Sequence, residues 1–166
     1  HRGVHGGKKL FREPGKNSLA AQEPAVLILP RRAMPAIETG PGGPWMRAYR
    51  PGDSVGELTP WPFENPASDY VILRGSPQAS GRIDRGGASG DATRLGIWAC
   101  TEGAFECTEL GNELQTILTG RLRLTGPDGV TREFGPGDSI YTNKGDRVVW
   151  DILEDVVKVF FTAELD

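Results

Sequence analysis

From residue 70 to the end, the chain is written in short β-rich runs broken by turn signals, and this texture limits the available folds more than any other feature. The runs are YVIL (70–73), RLGIWACT (94–101), AFECTE (104–109), LQTILTGRLRLT (114–125), VTREF (130–134), SIYT (139–142), RVVWDI (147–152) and VVKVFFTAE (156–164). Between them stand Asp128-Gly129 after Pro127, Pro136-Gly137-Asp138 and Lys144-Gly145-Asp146. These residue types supply the fixed or positive φ, and the local side-chain hydrogen bonds, that a reversing chain needs. No helical period is sustained, so the pattern predicts an all-β sandwich or closed barrel. At 166 residues the chain is long enough to bury a core as one domain without staples.

Upstream the texture differs. Residues 1–24 read as a basic, Gly-rich arm: the first sixteen carry Arg2, Lys8, Lys9, Arg12 and Lys16 against Glu13 alone, so within a net charge of −3 the remainder is acidic. Such an arm suits docking on an acidic body. It lacks the interleaved aromatics of a nucleic-acid site, so no nucleic-acid partner is expected. AVLILP (25–30) reads as a short buried strand, and residues 25–69 as an extension dense in Pro35, Pro41, Pro44, Pro51, Pro60, Pro62 and Pro66, which excludes long helix and leaves short edge strands around WMRAYR (45–50). Residues 70–166 are then the barrel. Neither a membrane span nor a secretion signal is seen, so a soluble, cytoplasmic protein is expected.

Two absences restrict the chemistry. The only histidines are His1 and His5, which removes Ser/His/Asp and Cys/His schemes from the barrel unless the arm reaches it. The only cysteines, Cys100 and Cys107, could face each other across a hairpin, but read better as reduced, half-buried thiols.

GIWACTEGAF (96–105), NELQTILTGRLRLTGPDGVTREFGPGDS (112–139), and Gly145 with Trp150 and Lys158 resemble the cupin superfamily, in particular its single-domain ethanolamine-utilisation, ureidoglycine-aminohydrolase-like branch (DUF861 type). The resemblance implies a double-stranded β-helix, a jelly-roll (RmlC-like) barrel, with a small-molecule pocket in its mouth and a homodimeric state. It also implies two metal motifs. Glu113 and Gly120 match the end of the first and Gly103 its start, but its histidine places fall on Cys107 and Glu109, or on Glu109 and Gly111. In the second, Gly137-Asp138 and Gly145 match, Asn143 replaces proline, and Val148 stands where the last histidine would be. A Cys107/Glu109/Glu113 set mixes one soft with two hard donors and suits no common metal well, so no metal and no cofactor are expected.

Strand alternation puts Val148, Trp150 and Ile152 on one face, and Glu113, Gln115 and Ile117 on another. The composite is an apolar cavity with polar groups at one side. Trp150 is pocket wall or core, Tyr141 a pocket hydroxyl or barrel filler, and Lys158 a residue of the branch pattern or an exposed strand position. Three readings follow. The first is a metal-free small-molecule-binding cupin, with Cys107, Gln115, Val148, Trp150 and Ile152 around the ligand. The second is a metal-independent isomerase, cyclase or hydrolase, with Glu109 or Glu113 as general acid or base, joined by Tyr141. The third, compatible with either, is a homodimer that exchanges its arm and AVLILP strand.

Overall fold

The computed structural model describes residues 47–88 and 90–165. The basic arm, the 25–30 run, both histidines and the first residues of the 45–50 segment lie outside them. Strands fill most of the described chain: β1 (Thr59–Pro60), β2 (Val71–Arg74), β3 (Ala79–Gly86), β4 (Thr93–Cys100), β5 (Gly103–Thr108), β6 (Asn112–Thr125), β7 (Thr131–Phe134), β8 (Ser139–Thr142) and β9 (Arg147–Ala163). Among the described residues, the helical piece is a 3₁₀ turn at Pro66–Ser68 capped by Asn65, and no helix is long and apolar enough to cross a membrane.

β9 is the spine. The runs 147–152 and 156–164, read in the sequence as separate strands, form one strand through their acidic link. Along one edge of β9 lie β4 and then β5, end to end. Along the other edge lies β6, from Asn112↔Ala163 to Thr125↔Val149. The half of β9 beyond residue 156 carries the sheet β1-β3-β4-β9-β6-β8, and the half before 152 carries β2-β5-β9-β6-β7. The two halves curl face to face into the all-β jelly-roll barrel.

The turn between halves is written in the backbone. Glu113, Gln115 and Ile117 face inward on β6, and so do Leu122 and Leu124, which are of opposite parity. Register shifts between Ile117 and Leu122 reset the phase, and Gly120 sits among them at φ +80°, where a Cβ would run into the Asp155 carbonyl oxygen. On β9 the inward set is Val148, Trp150, Ile152, Val156, Lys158, Phe160 and Thr162. Cys100, Phe105, Ile117, Leu122, Ile140 and Ile152 form the centre of the core. Because β4 and β5 follow each other along β9 rather than pairing, Cys100 and Cys107 do not oppose each other across a hairpin; both are free and buried.

Ahead of the barrel, Arg47–Arg50 form no strand, unlike the edge strand expected there. Two of their side chains go instead to Asp84 on β3, which accepts a hydrogen bond from the Tyr49 hydroxyl at 2.7 Å and lies 3.7 Å from an Arg47 guanidinium nitrogen. Arg82 completes that cluster at 2.7 Å. Residues 59–70 cross the barrel end: β1 pairs with β3, the Trp61 N–H bonds the Ala79 carbonyl at 2.9 Å, and Arg147 donates to the Asp69 carbonyl at 2.8 Å. Gly81 is required under Trp61, since a Cβ there would lie 2.5 Å from Trp61 Cε3 and 2.8 Å from the Ile97 carbonyl.

Candidate functional site

Inward-facing residues of neighbouring strands line up in rows across the sheet, and these rows build the site. Trp98, Lys158 and Ile117 form one row, Gly96, Phe160 and Gln115 the next, and Arg94, Thr162 and Glu113 the third. Trp150 approaches from the facing half of the barrel, its ring centroid 6.3 Å from that of Trp98. The two rings form part of the wall of a cavity of about 100 Å³, lined also by Trp61, Arg94, Glu109 and Lys158 among others. By liquid share it holds about three waters.

Lys158 is the central cation. It is 6% exposed, and its Nζ donates to Glu113 Oε1 at 3.0 Å and to the Gln115 side-chain oxygen. The same ammonium lies 4.4 Å from the Trp150 ring centroid and 4.8 Å from that of Trp98, so both indole faces share its charge. Thr162 donates its hydroxyl to Glu113 Oε2 at 2.7 Å, leaving each carboxylate oxygen with a partner. Burial pushes the Glu113 carboxyl up, but the Lys158 charge and the Thr162 and Lys158 hydrogen bonds together outweigh it and hold Glu113 below the usual range.

Glu109 behaves oppositely. It follows β5, with its backbone clamped to the β8–β9 turn by bonds from Glu109 N–H to the Asp146 carbonyl (2.9 Å) and from Gly145 N–H to the Glu109 carbonyl (2.8 Å). Burial, and then the negative charge of Glu113, push its carboxyl up to about 7, against the pull of Lys158 and the Trp150 indole N–H, which donates to Oε1 at 3.2 Å. One carboxylate is therefore held ionised and the other is poised near neutrality, an arrangement that supports both ligand discrimination and proton transfer.

The predicted site residues separate in space. Cys107, Glu109, Glu113 and Trp150 line the cavity, and Gln115 stands behind it on Lys158. Val148 and Ile152 are buried in the core, Val148 also lining a second concavity that includes Tyr141. Tyr141 is 59% exposed and outside the barrel cavity. The sequence reading singled out none of Arg94, Trp98, Trp61, Thr162 and the buried state of Lys158 as parts of the site. Parity could have found Lys158, since Trp150, Val156 and Phe160 share its face; nothing in the sequence distinguishes Arg94.

At the positions where the cupin resemblance implies metal ligands, the donors do not fit one. Burial, followed by the charge of Glu109, pushes the Cys107 thiol up to about 12; Glu113 is occupied by Lys158 and Thr162; Val148 has no donor atom. The ammonium beside Glu113 would also repel a divalent ion. Among the described residues, no three of His, Cys, Asp and Glu come together as a ligand set.

The sequence model for the EutQ-like cupin domain matches residues 87–160. A DUF861 family protein of Thermotoga maritima is 33% identical, the match covering 39% of this chain and 73% of that one, with a TM-score of 0.37. The chain is a cupin of the EutQ/DUF861 branch. Two further solved structures share the cupin fold with it. A DUF861 family protein of unknown function from Pseudomonas syringae pv. tomato has a TM-score of 0.54 at 21% identity, covering 67% of this chain and 46% of that one. A cupin-like protein of Thermotoga maritima has a TM-score of 0.50 at 12% identity, covering 68% and 82%. No curated protein matches the sequence.

Proposed function

We propose that this cupin binds a small organic molecule in the barrel cavity without a resident metal. The observation that carries the reading is the cavity itself: charged side chains brought into an aromatic-walled interior, with Lys158 and Glu113 already satisfying each other. Small-molecule sites combine apolar walls with a few fixed polar groups in this way. Because Trp98 and Trp150 form the walls, binding should change indole fluorescence. A screen of small metabolites by fluorescence and thermal shift should yield saturable binders that Cys107→Met, which fills the cavity from β5, weakens. If Cys107→Met and the wild type respond alike to every binder, the cavity is not the site.

A second reading rests on Glu109. A carboxyl at about 7 inside a cavity can give and take a proton near neutral pH, as a metal-independent isomerase, cyclase or hydrolase requires. Turnover of a bound compound that disappears in Glu109→Gln while binding persists would establish it; equal turnover would remove it. The proposal also includes a homodimer with arm exchange, to be tested by light scattering on the full chain, and a cytoplasmic location, with which the free thiols of Cys100 and Cys107 agree.

A further inference from the structure

Resting on the cavity-binding reading above, we infer that the ligand is a small organic acid whose carboxylate is held by Arg94. The cation inventory leads there. Lys158 is consumed by Glu113 and Gln115. Arg94, on β4 opposite Thr162, lines the same cavity, and among the described residues its side chain has neither an ion pair nor a hydrogen bond. Its Nε is buried with no acceptor. An unpaired buried donor on a cation is costly, and structures seldom keep one unless something else supplies the acceptor.

Packing holds this guanidinium ready. Its Cζ lies 5.6 Å from the Trp61 ring centroid and 5.6 Å from that of Phe160, so two aromatic groups fix its position without using its donors. Trp61 is in turn packed edge-on against Phe160 at 6.1 Å. A planar fork fixed this way matches a carboxylate, which accepts two parallel N–H bonds.

The charges beside it agree. Lys158 and Glu113 cancel, and Glu109, with its carboxyl pushed up to about 7, is largely uncharged in mild acid, so the lining carries one uncompensated positive charge there. A cationic ligand would meet Arg94 and Lys158 together; a neutral one would offer the fork neither a countercharge nor the paired oxygens of a carboxylate. The volume of about 100 Å³ favours a short carbon skeleton, held against Trp98 and Trp150.

The test is calorimetric titration of the full chain with acetate, propionate and lactate, in parallel with acetamide, propionamide and lactamide. The acids should bind and the amides bind at least about tenfold more weakly, with Arg94→Gln lowering acid affinity by about 10- to 100-fold. Arg94→Lys, which keeps the charge but loses the fork, should fall between, and serves if the glutamine variant is unfolded. If acids and amides bind equally, or both Arg94 variants retain acid binding that Cys107→Met loses, the carboxylate assignment is wrong while the cavity reading survives. If neither series binds the wild type but other metabolites do, with Cys107→Met weakening them, the same holds; if nothing binds, both fall.

Discussion

Replacing Lys158 by Met tests the centre of the site, because it removes the charge while keeping an unbranched apolar chain against Trp98 and Trp150. Breaking a buried pair by deleting one partner costs about 3–5 kcal/mol, since the remaining charge is left uncompensated. Here Glu113, 8% exposed and left with Thr162 alone, has an escape: burial, already the largest influence on it, would raise its carboxyl until it takes a proton. Protonating a carboxyl of ordinary value near 4.5 costs about 1.4 kcal/mol per pH unit above that value, or about 3 kcal/mol at neutral pH. The sign follows. In the wild type Glu113 is depressed, so its contribution is complete above the ordinary range and is lost only as pH falls through its lower folded value. In the variant it is raised, so stability falls as pH rises from about 4.5 towards its new value. The deficit of Lys158→Met should therefore widen from about 1 kcal/mol near pH 5 to about 3 or 4 near pH 7. Urea unfolding followed by circular dichroism at several pH values measures it, and the double variant Glu113→Gln, Lys158→Met should recover most of the loss. A deficit under about 1 kcal/mol that ignores pH would refute the buried pairing.

Other consequences are checked in the same way. Glu109→Gln should flatten the pH dependence of stability: a carboxyl raised to about 7 stabilises the fold in acid and loses that contribution as pH rises from its ordinary value to about 7, at most about 3 kcal/mol across the window. Gly81→Ala should cost about 1–3 kcal/mol, because its Cβ meets the Trp61 ring and the Ile97 carbonyl, and should alter Trp61 fluorescence more than a remote substitution of equal cost. Asp84→Asn should destabilise by about 1–3 kcal/mol at neutral pH, since that carboxylate, 5% exposed, accepts from Arg82 and Tyr49. Burial opposes Asp84 ionisation but Arg82 and Tyr49 prevail and lower its value, so this deficit should shrink as pH falls through that range.

The barrel was legible because period-2 patterning and turn chemistry act locally. Val148, Trp150 and Ile152 alternate on one face in the sequence and all are buried. What stayed hidden depends on phase and on distant partners. In SIYT two apolar residues are adjacent, so one must face out; the structure buries Ile140 and Thr142 and turns out Tyr141, which sits beside exposed Leu114, itself paired with exposed Phe161. Lys158 reads as a surface residue on charge alone, and its burial is made tolerable by Glu113 and Gln115, more than forty positions away, together with the Trp98 and Trp150 indoles. Arg94 is half-buried by Trp61, from a segment whose proline content suggested only irregular extension.

Glu113 stands at a motif place and is paired within the chain. Its motif place implies a metal ligand, yet here a cation of the chain itself, Lys158, meets the carboxylate, with two indole rings packed against the ammonium. An ammonium on a strand offers no open coordination positions to a substrate as a metal does, and in this pair each charge is met by the other. Free capacity then lies with the groups around the pair: Arg94 with unmatched donors, and Glu109 near its titration point. A ligand that gave Arg94 a carboxylate would add negative charge to the cavity and so favour the protonated form of Glu109. By linkage, acid binding should then release fewer protons, or take up more, as pH passes through about 7. Calorimetric titrations of the acids in buffers of different ionisation enthalpy would show that uptake, and its absence in Glu109→Gln would assign it.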